Sequence, residues 1–305
     1  MMTKFPGFVI NNILCRILGR NAVHTGVLPT GYSLGRTLCS MTAGAGARVC
    51  TLDATGTIMR IKGHIPRIYL ETLEGRLGVD MGALGLGVSE DAMMTSFASS
   101  LKQRSQDLPC FGSKIMSSEK WWEEVVRKAF LGAGVEISII DPVFNGVFQE
   151  LYHDVFAGER GWELVPGAQE VLHKLRDWCN SGVGPDTLGV VSNFDERLHP
   201  LLRSLGVYDM FDFVLTSREC GMEKPNPLIF EEALRLAGVV SGNGITGVHI
   251  GDTFSRDIMG ASAAGWEAVL VSTKKVNEFQ RAVKHVQVSE LMEVPRALGI
   301  QGSGG

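Results

Sequence analysis

Five polar residues stand where an apolar run stops or a helix is about to start. Asp53 ends "RVCTLD", Ser192 and Asn193 end "TLGVVSN", Asp252 ends "GVHIGD", and Lys224 precedes "PNPLIF". If these runs are neighbouring strands of one open parallel sheet, their carboxyl ends share an edge, and reactive sites lie beyond that edge. Asp53 and Asp252 would then meet in one crevice. Two carboxylates so close repel unless one is protonated or a cation lies between them. Mg²⁺ takes oxygen ligands of this kind and usually keeps waters and substrate phosphate oxygens. The Ser192 hydroxyl and the Asn193 N–H stand before a helix that begins near Asp195, an arrangement that binds phosphate. Lys224 adds a point charge for phosphoryl oxygens and for Asp53. Asp53 is then poised as a nucleophile that forms an aspartyl phosphate. The expected ligand is a small phosphorylated molecule.

The elements that must position these groups are legible in the pattern. "RVCTLD", "TLGVVSN" (187–193), "FDFVLTS" (211–217), "GVHIGD" (247–252) and "EAVLVS" (267–272) are continuous apolar runs, as expected of strands covered on both faces. Amphipathic stretches separate them. "NPLIFEEALRLAG" places Asn226 as a cap and Pro227 at the first turn and stops at Gly238. This alternation predicts an α/β fold, a Rossmann-like doubly wound parallel sheet. Residues 62–160 break the alternation with few strand-like runs and several helical ones, which predicts a mostly helical cap inserted after the first strand. The core is expected over 48–61 and 161–285, with 286–305 as a C-terminal tail. Adjacent Trp121 and Trp122 must face different sides of one helix.

Composition narrows the function class. Of 305 residues, 45% are hydrophobic and 20% charged, and the formal net charge is −4, which gives no electrostatic footprint for nucleic acid. No apolar run is long enough to span a bilayer. The six cysteines form no Cys-x-x-Cys pair, and the histidines lack metal-ligand spacing. Residues 1–47 contain no acid but carry Lys4, Arg16, Arg20 and Arg36, and "FVINNILCRILGR" suits a basic amphipathic helix. That is the composition of a transit peptide, with the mitochondrion as the expected destination and the cytoplasm or a plastid as alternatives. The sequence does not specify an oligomeric state.

Four segments, "LDATGT", "VVSNFDERL", "GMEKPNPLIFEEAL" and "HIGDTFSRDIMGASAAGW", together resemble the ordered motifs of the haloacid dehalogenase superfamily over roughly residues 48–275. The resemblance implies Asp53 as nucleophile, Lys224 as charge stabiliser, Ser192 as phosphate binder, and Asp252 with Asp257 as the acidic pair holding Mg²⁺. It also implies a metal contact from the Thr55 backbone carbonyl. Family phosphatases usually carry a second Asp at that position, which protonates the leaving group and then activates water. Thr55 cannot shuttle a proton at neutral pH, so phosphatase activity is expected to be reduced by about 10²- to 10⁴-fold. Gly56 permits the turn, and Thr57 is expected to help bind substrate and to hydrogen-bond the nearby carboxylate or the turn. Two alternatives stay open: a catalytically weak binding or regulatory protein on the same fold, and a 2-haloacid-type dehalogenase. Retention of Asp252 and Asp257 counts against the latter, which needs no metal. Asp195 and Arg197 read as ordinary helix-start charges, and Arg60 and Lys62 as solvated.

Overall fold

The computed structural model describes residues 48–79, 82, 87–239 and 247–300. The acid-free leader, with the targeting expectation attached to it, lies outside these residues, as does 301–305. A six-stranded sheet in the order β5-β4-β1-β6-β7-β8 forms the centre. Its members are β1 (Val49–Leu52), β4 (Thr187–Ser192), β5 (Phe213–Thr216), β6 (Gly247–Gly251), β7 (Glu267–Val271) and β8 (Val286–Val288), and every pairing is parallel. The five apolar runs therefore fold as the pattern predicts. β1 is central and buried along its whole length. Its last residue, Leu52, is level with Val190 of β4 and Ile250 of β6. That register brings residues 53, 192 and 252 to one edge, at the point where the strand order reverses direction.

Both faces of the sheet are covered. On one, Val171, Leu172 and Leu175 of an amphipathic helix, Ala168–Asn180, pack with Leu52, Leu188 and Val190. On the other, Ile229, Phe230, Ala233 and Leu234 of Leu228–Leu236 form an apolar stripe against Val191 and Trp266. Pro227, expected in the first turn, instead stands at the cap position just before this helix, Asn226 Oδ1 accepts from Leu228 N at 3.0 Å, and Gly238 follows the helix end with φ +68°.

Among the described residues between β1 and β4, the regular structure is helical but for one short ladder. Helices Ile65–Leu77, Glu90–Asp107 and Ser118–Gly132 bury Tyr69, Leu73, Phe97, Leu101, Val125 and Phe130 in a core of their own. Ser89 and Ser117 cap the second and third of these by accepting from Ala92 N and Lys120 N. Strands β2 (Met59–Ile61) and β3 (Trp162–Leu164) pair antiparallel where the helical stretch leaves and rejoins the sheet. Three residues per strand are too few for a period-2 pattern to register, so this ladder was not expected. Arg60 is not simply solvated, since it pairs across the ladder with Glu163 at 2.8 Å.

The expected tail needs correction from residue 286 to residue 300. β8 extends the sheet, and Val288, Leu291, Val294 and Leu298 are buried in the same core as β1. Its short apolar stretches are interrupted by "SE", "ME" and "PRA", which hides the strand in the sequence.

Candidate active site

Asp53 directly follows β1, and its N–H continues the ladder by donating to Ile250 O at 2.9 Å. The chain then turns on Gly56 at φ +89°. A methyl group there would overlap the Asp252 carboxylate, so this glycine serves both the turn and the approach of the second acid. Ile58 N and Met59 N both donate to Ala54 O, which closes the turn. Thr55 lines the cavity beside Asp53. Thr57 is fully buried and its hydroxyl has no hydrogen-bond partner, contrary to the bond expected of it.

Lys224 is the hub. Its ammonium donates to Asp53 Oδ1 and to Val191 O, and pairs with Asp257 Oδ1, each at 2.7 Å. Three partners account for all three of its protons. The backbone that delivers it is clamped, because Lys224 N donates to Asn193 Oδ1 at 2.8 Å and Asn193 Nδ2 donates to Lys224 O at 2.9 Å. Asn193 thus positions the lysine while also lining the cavity with Ser192. Ser192 closes β4 and is 1% exposed.

Asp252 precedes a turn of π-helix, Phe254–Ile258, and Asp257 lies within it. Thr253 N donates to Asp257 Oδ2 at 2.8 Å, and Thr253 Oγ1 donates to Asp252 Oδ1 at 3.0 Å. A side chain at Gly251 would overlap Asp257, which explains the glycine before Asp252. His249, which sequence reasoning missed, is fully buried between Thr51 Oγ1 at 2.8 Å and Asp257 Oδ1 at 3.3 Å. It lies inside the strand rather than at its end, and no spacing distinguishes it from a core histidine.

Asp53, Asp252 and Asp257 each offer an oxygen, and these lie within 4.8 Å of one another. The electrostatics show that one lysine does not balance them. Burial, then Asp257 and Asp53, pushes the half-buried Asp252 up to about 7. Burial would raise Asp257 as well, but Lys224 and His249 outweigh it and hold its carboxyl well below the usual range. Burial also opposes the charge on Lys224, yet Asp257 and Asp53 keep its pKa raised. His249 is pushed down by burial and by Lys224, so it is neutral at pH 7. A cluster of hard oxygen donors that retains excess negative charge fits a divalent cation such as Mg²⁺. Asp257 accepts three bonds already, leaving about one of its four acceptor sites for such an ion.

Asp195 and Arg197 are not ordinary helix-start charges. Arg197 grips the buried Asp195 with Nε at 2.8 Å and Nη2 at 2.6 Å, and Trp122 Nε1 donates to Asp195 Oδ2 at 2.7 Å. Burial opposes the carboxylate, but Arg197 and then Trp122 hold its pKa low. The string "DER" resembles any helix start, and only the fold brings Trp122 to it. Trp121, by contrast, is core: 1% exposed, it donates to Leu108 O at 2.8 Å.

The chain is similar in sequence and in fold to known proteins. The model of the haloacid dehalogenase-like hydrolase family matches residues 47–265. The chain is 35% identical over 227 residues to haloacid dehalogenase-like hydrolase domain-containing protein 3 of Bos taurus, covering 74% of this chain and 82% of that one. It is 33% identical over 257 residues to the protein of that name from Xenopus laevis, covering 83% and 96%. Among solved structures, a 2-haloacid dehalogenase from Pseudomonas syringae superposes with a TM-score of 0.53 at 25% identity, over 83% of this chain and 98% of the other. The chain belongs to the haloacid dehalogenase-like hydrolase family.

Proposed function

We propose that the chain is a Mg²⁺-dependent hydrolase of small phosphorylated substrates that uses Asp53 as its nucleophile and turns over slowly. One observation carries the reading: a fully engaged lysine holds Asp53 at the floor of a cavity, beside two further acids within 4.8 Å. An Asp53 oxygen attacks phosphorus and the bond to the leaving oxygen breaks. Lys224 offsets the charge and keeps Asp53 aimed. Ser192 stands where the transferred group's oxygens need a donor. Asp53, Asp252, Asp257 and the Thr55 carbonyl would hold the ion, which supplies Lewis-acid stabilisation of phosphoryl oxygens. Water then cleaves the aspartyl phosphate. The helical stretch between β2 and β3 acts as the cap that walls the cavity.

Slow turnover follows from the proton inventory. Asp252, the neighbouring acid pushed up to about 7, would be engaged as a metal ligand, and among the described residues the protic groups lining the cavity are poorly matched to pH 7. Burial pushes Tyr69 above its ordinary value and Tyr152 up to about 12, while Asp195 is locked to Arg197. The test is phosphate release from a panel of phosphomonoesters, with magnesium and with a chelator, by wild type and Asp53→Asn. Magnesium-dependent release lost in Asp53→Asn supports the reading. Halide release from 2-haloacids without magnesium would favour the dehalogenase alternative. Residues 1–47 are proposed to direct the chain to mitochondria, which a reporter fused to that segment tests.

A further inference from the structure

The cavity above Asp53 is charged at its floor and ring-lined elsewhere. Its empty volume is about 880 Å³ including its open mouth, and nine of its twenty lining residues are aromatic. The wall is tied together by its own polar atoms. The Arg197 guanidinium lies 4.0 Å over the Tyr152 ring and 5.3 Å from that of Trp122. Phe111 stacks against Trp122 at 6.0 Å and 28°. The indole N–H of Trp122 is bonded to Asp195, the Tyr152 hydroxyl to Ser118 and the Trp162 N–H to Phe156 O. Both carboxylate oxygens of Asp195 face Arg197. Such a wall offers stacking surface to a flat ring and few bonds to the hydroxyls of a sugar or polyol.

A second, independent feature points the same way. Position 55 carries no proton donor for the leaving group. An alkoxide, whose conjugate alcohol has a pKa near that of water, about 15.7, departs poorly without one. A phenolic oxygen, with a pKa of about 10 as in tyrosine, departs far more readily unassisted. Resting on the phosphohydrolase reading above, we infer that the preferred substrates are aryl phosphate monoesters, with a planar phenolic leaving group stacked on the Trp122 wall. The Asp53 carboxylate forms a bond to phosphorus as the P–O(aryl) bond breaks. The aryl oxygen leaves with the electron pair and takes its proton from solvent. A water oxygen then bonds phosphorus, the P–O(Asp53) bond breaks, and phosphate leaves with Asp53 regenerated and the water's proton released to solvent. Trp122 is the specificity-determining residue.

The experiment follows alcohol release in the first turnover, with magnesium, from phenyl phosphate, benzyl phosphate and glycerol 3-phosphate. Wild type should release phenol fastest, and the two ring esters should half-saturate at lower concentration than the glycerol ester. Thr55→Asp should narrow the phenyl-to-benzyl rate gap by about 10²- to 10⁴-fold while leaving the half-saturating concentrations in place. Trp122→Leu should raise the half-saturating concentration of both ring esters by about tenfold while leaving their rate ratio in place. Phe111→Leu, on the same wall, serves if Trp122→Leu does not fold. Glycerol 3-phosphate processed as well as phenyl phosphate would overturn this inference and leave the hydrolase reading standing. No release from any ester by wild type or Thr55→Asp would overturn the hydrolase reading itself, and this inference with it.

Discussion

Replacing Lys224 with methionine removes the only lysine among the described residues that contacts Asp53 and Asp257 together. The stem volume is nearly kept, so the change is electrostatic. Three bonds at 2.7 Å disappear, and the two carboxylates, both buried, lose their counter-charge. Removing one partner of a buried pair costs about 3–5 kcal/mol. At about 2–4 °C per kcal/mol for a domain near this size, the melting temperature should fall by about 6–20 °C. The deficit has a pH signature. Without the ammonium, burial is no longer outweighed at Asp257, and its folded-state pKa rises above the unfolded value of about 3.9. Acids raised in this way favour the fold while protonated, so their contribution is intact below the unfolded pKa and lost as pH rises through the folded one. The variant should therefore trail wild type most near about pH 8 and least near about pH 5. Thermal unfolding in chelator across that range is the assay. A melting temperature equal to wild type at the alkaline end, or a deficit that does not change with pH, would refute the reasoning.

Other expectations follow from the same geometry. Asp252, pushed up to about 7, should make the metal-free protein less stable as pH rises through 7, and saturating magnesium should restore stability more at about pH 8 than at about pH 5, read by thermal shift. Gly56→Ala places a methyl group against Asp252 at φ +89° and should cost about 1–3 kcal/mol in denaturant unfolding; it should also reduce the magnesium-induced shift, whereas Gly63→Ala, with open space around it, should leave that shift unchanged. Asp195→Asn leaves the mostly buried Arg197 side chain without its counter-charge and should cost about 3–5 kcal/mol in the same measurement.

How much of this was legible beforehand depended on period and punctuation. The five apolar runs and the polar residues at their ends gave the sheet and the positions of Asp53, Ser192 and Asp252, because strand ends in a parallel sheet share an edge whatever lies between them. The Lys224–Asp257 pair was not legible. Nothing in a spacing of thirty-three residues says that a π-turn after β6 will swing Asp257 under Gly251. His249 and the Asp195–Arg197–Trp122 group were hidden for the same reason: each acts through contacts between distant segments, while its local sequence reads as ordinary core or helix start. β2, β3 and β8 escaped because three residues cannot display an alternation. The functional reading of Thr55 came from the family resemblance, which marks position 55 as that of a second acid, and the apolar wall above it became visible only when helices from Ile65 to Gly132 closed over the sheet edge.

The most direct test is to quench wild type with acid during turnover of phenyl phosphate and magnesium, and to locate covalently bound phosphate by mass spectrometry. Phosphate on Asp53, labile to hydroxylamine, approaching one per chain and absent from Asp53→Asn, is the expected result. Continued release of phenol with no phosphate on Asp53, or activity retained in Asp53→Asn, would contradict it.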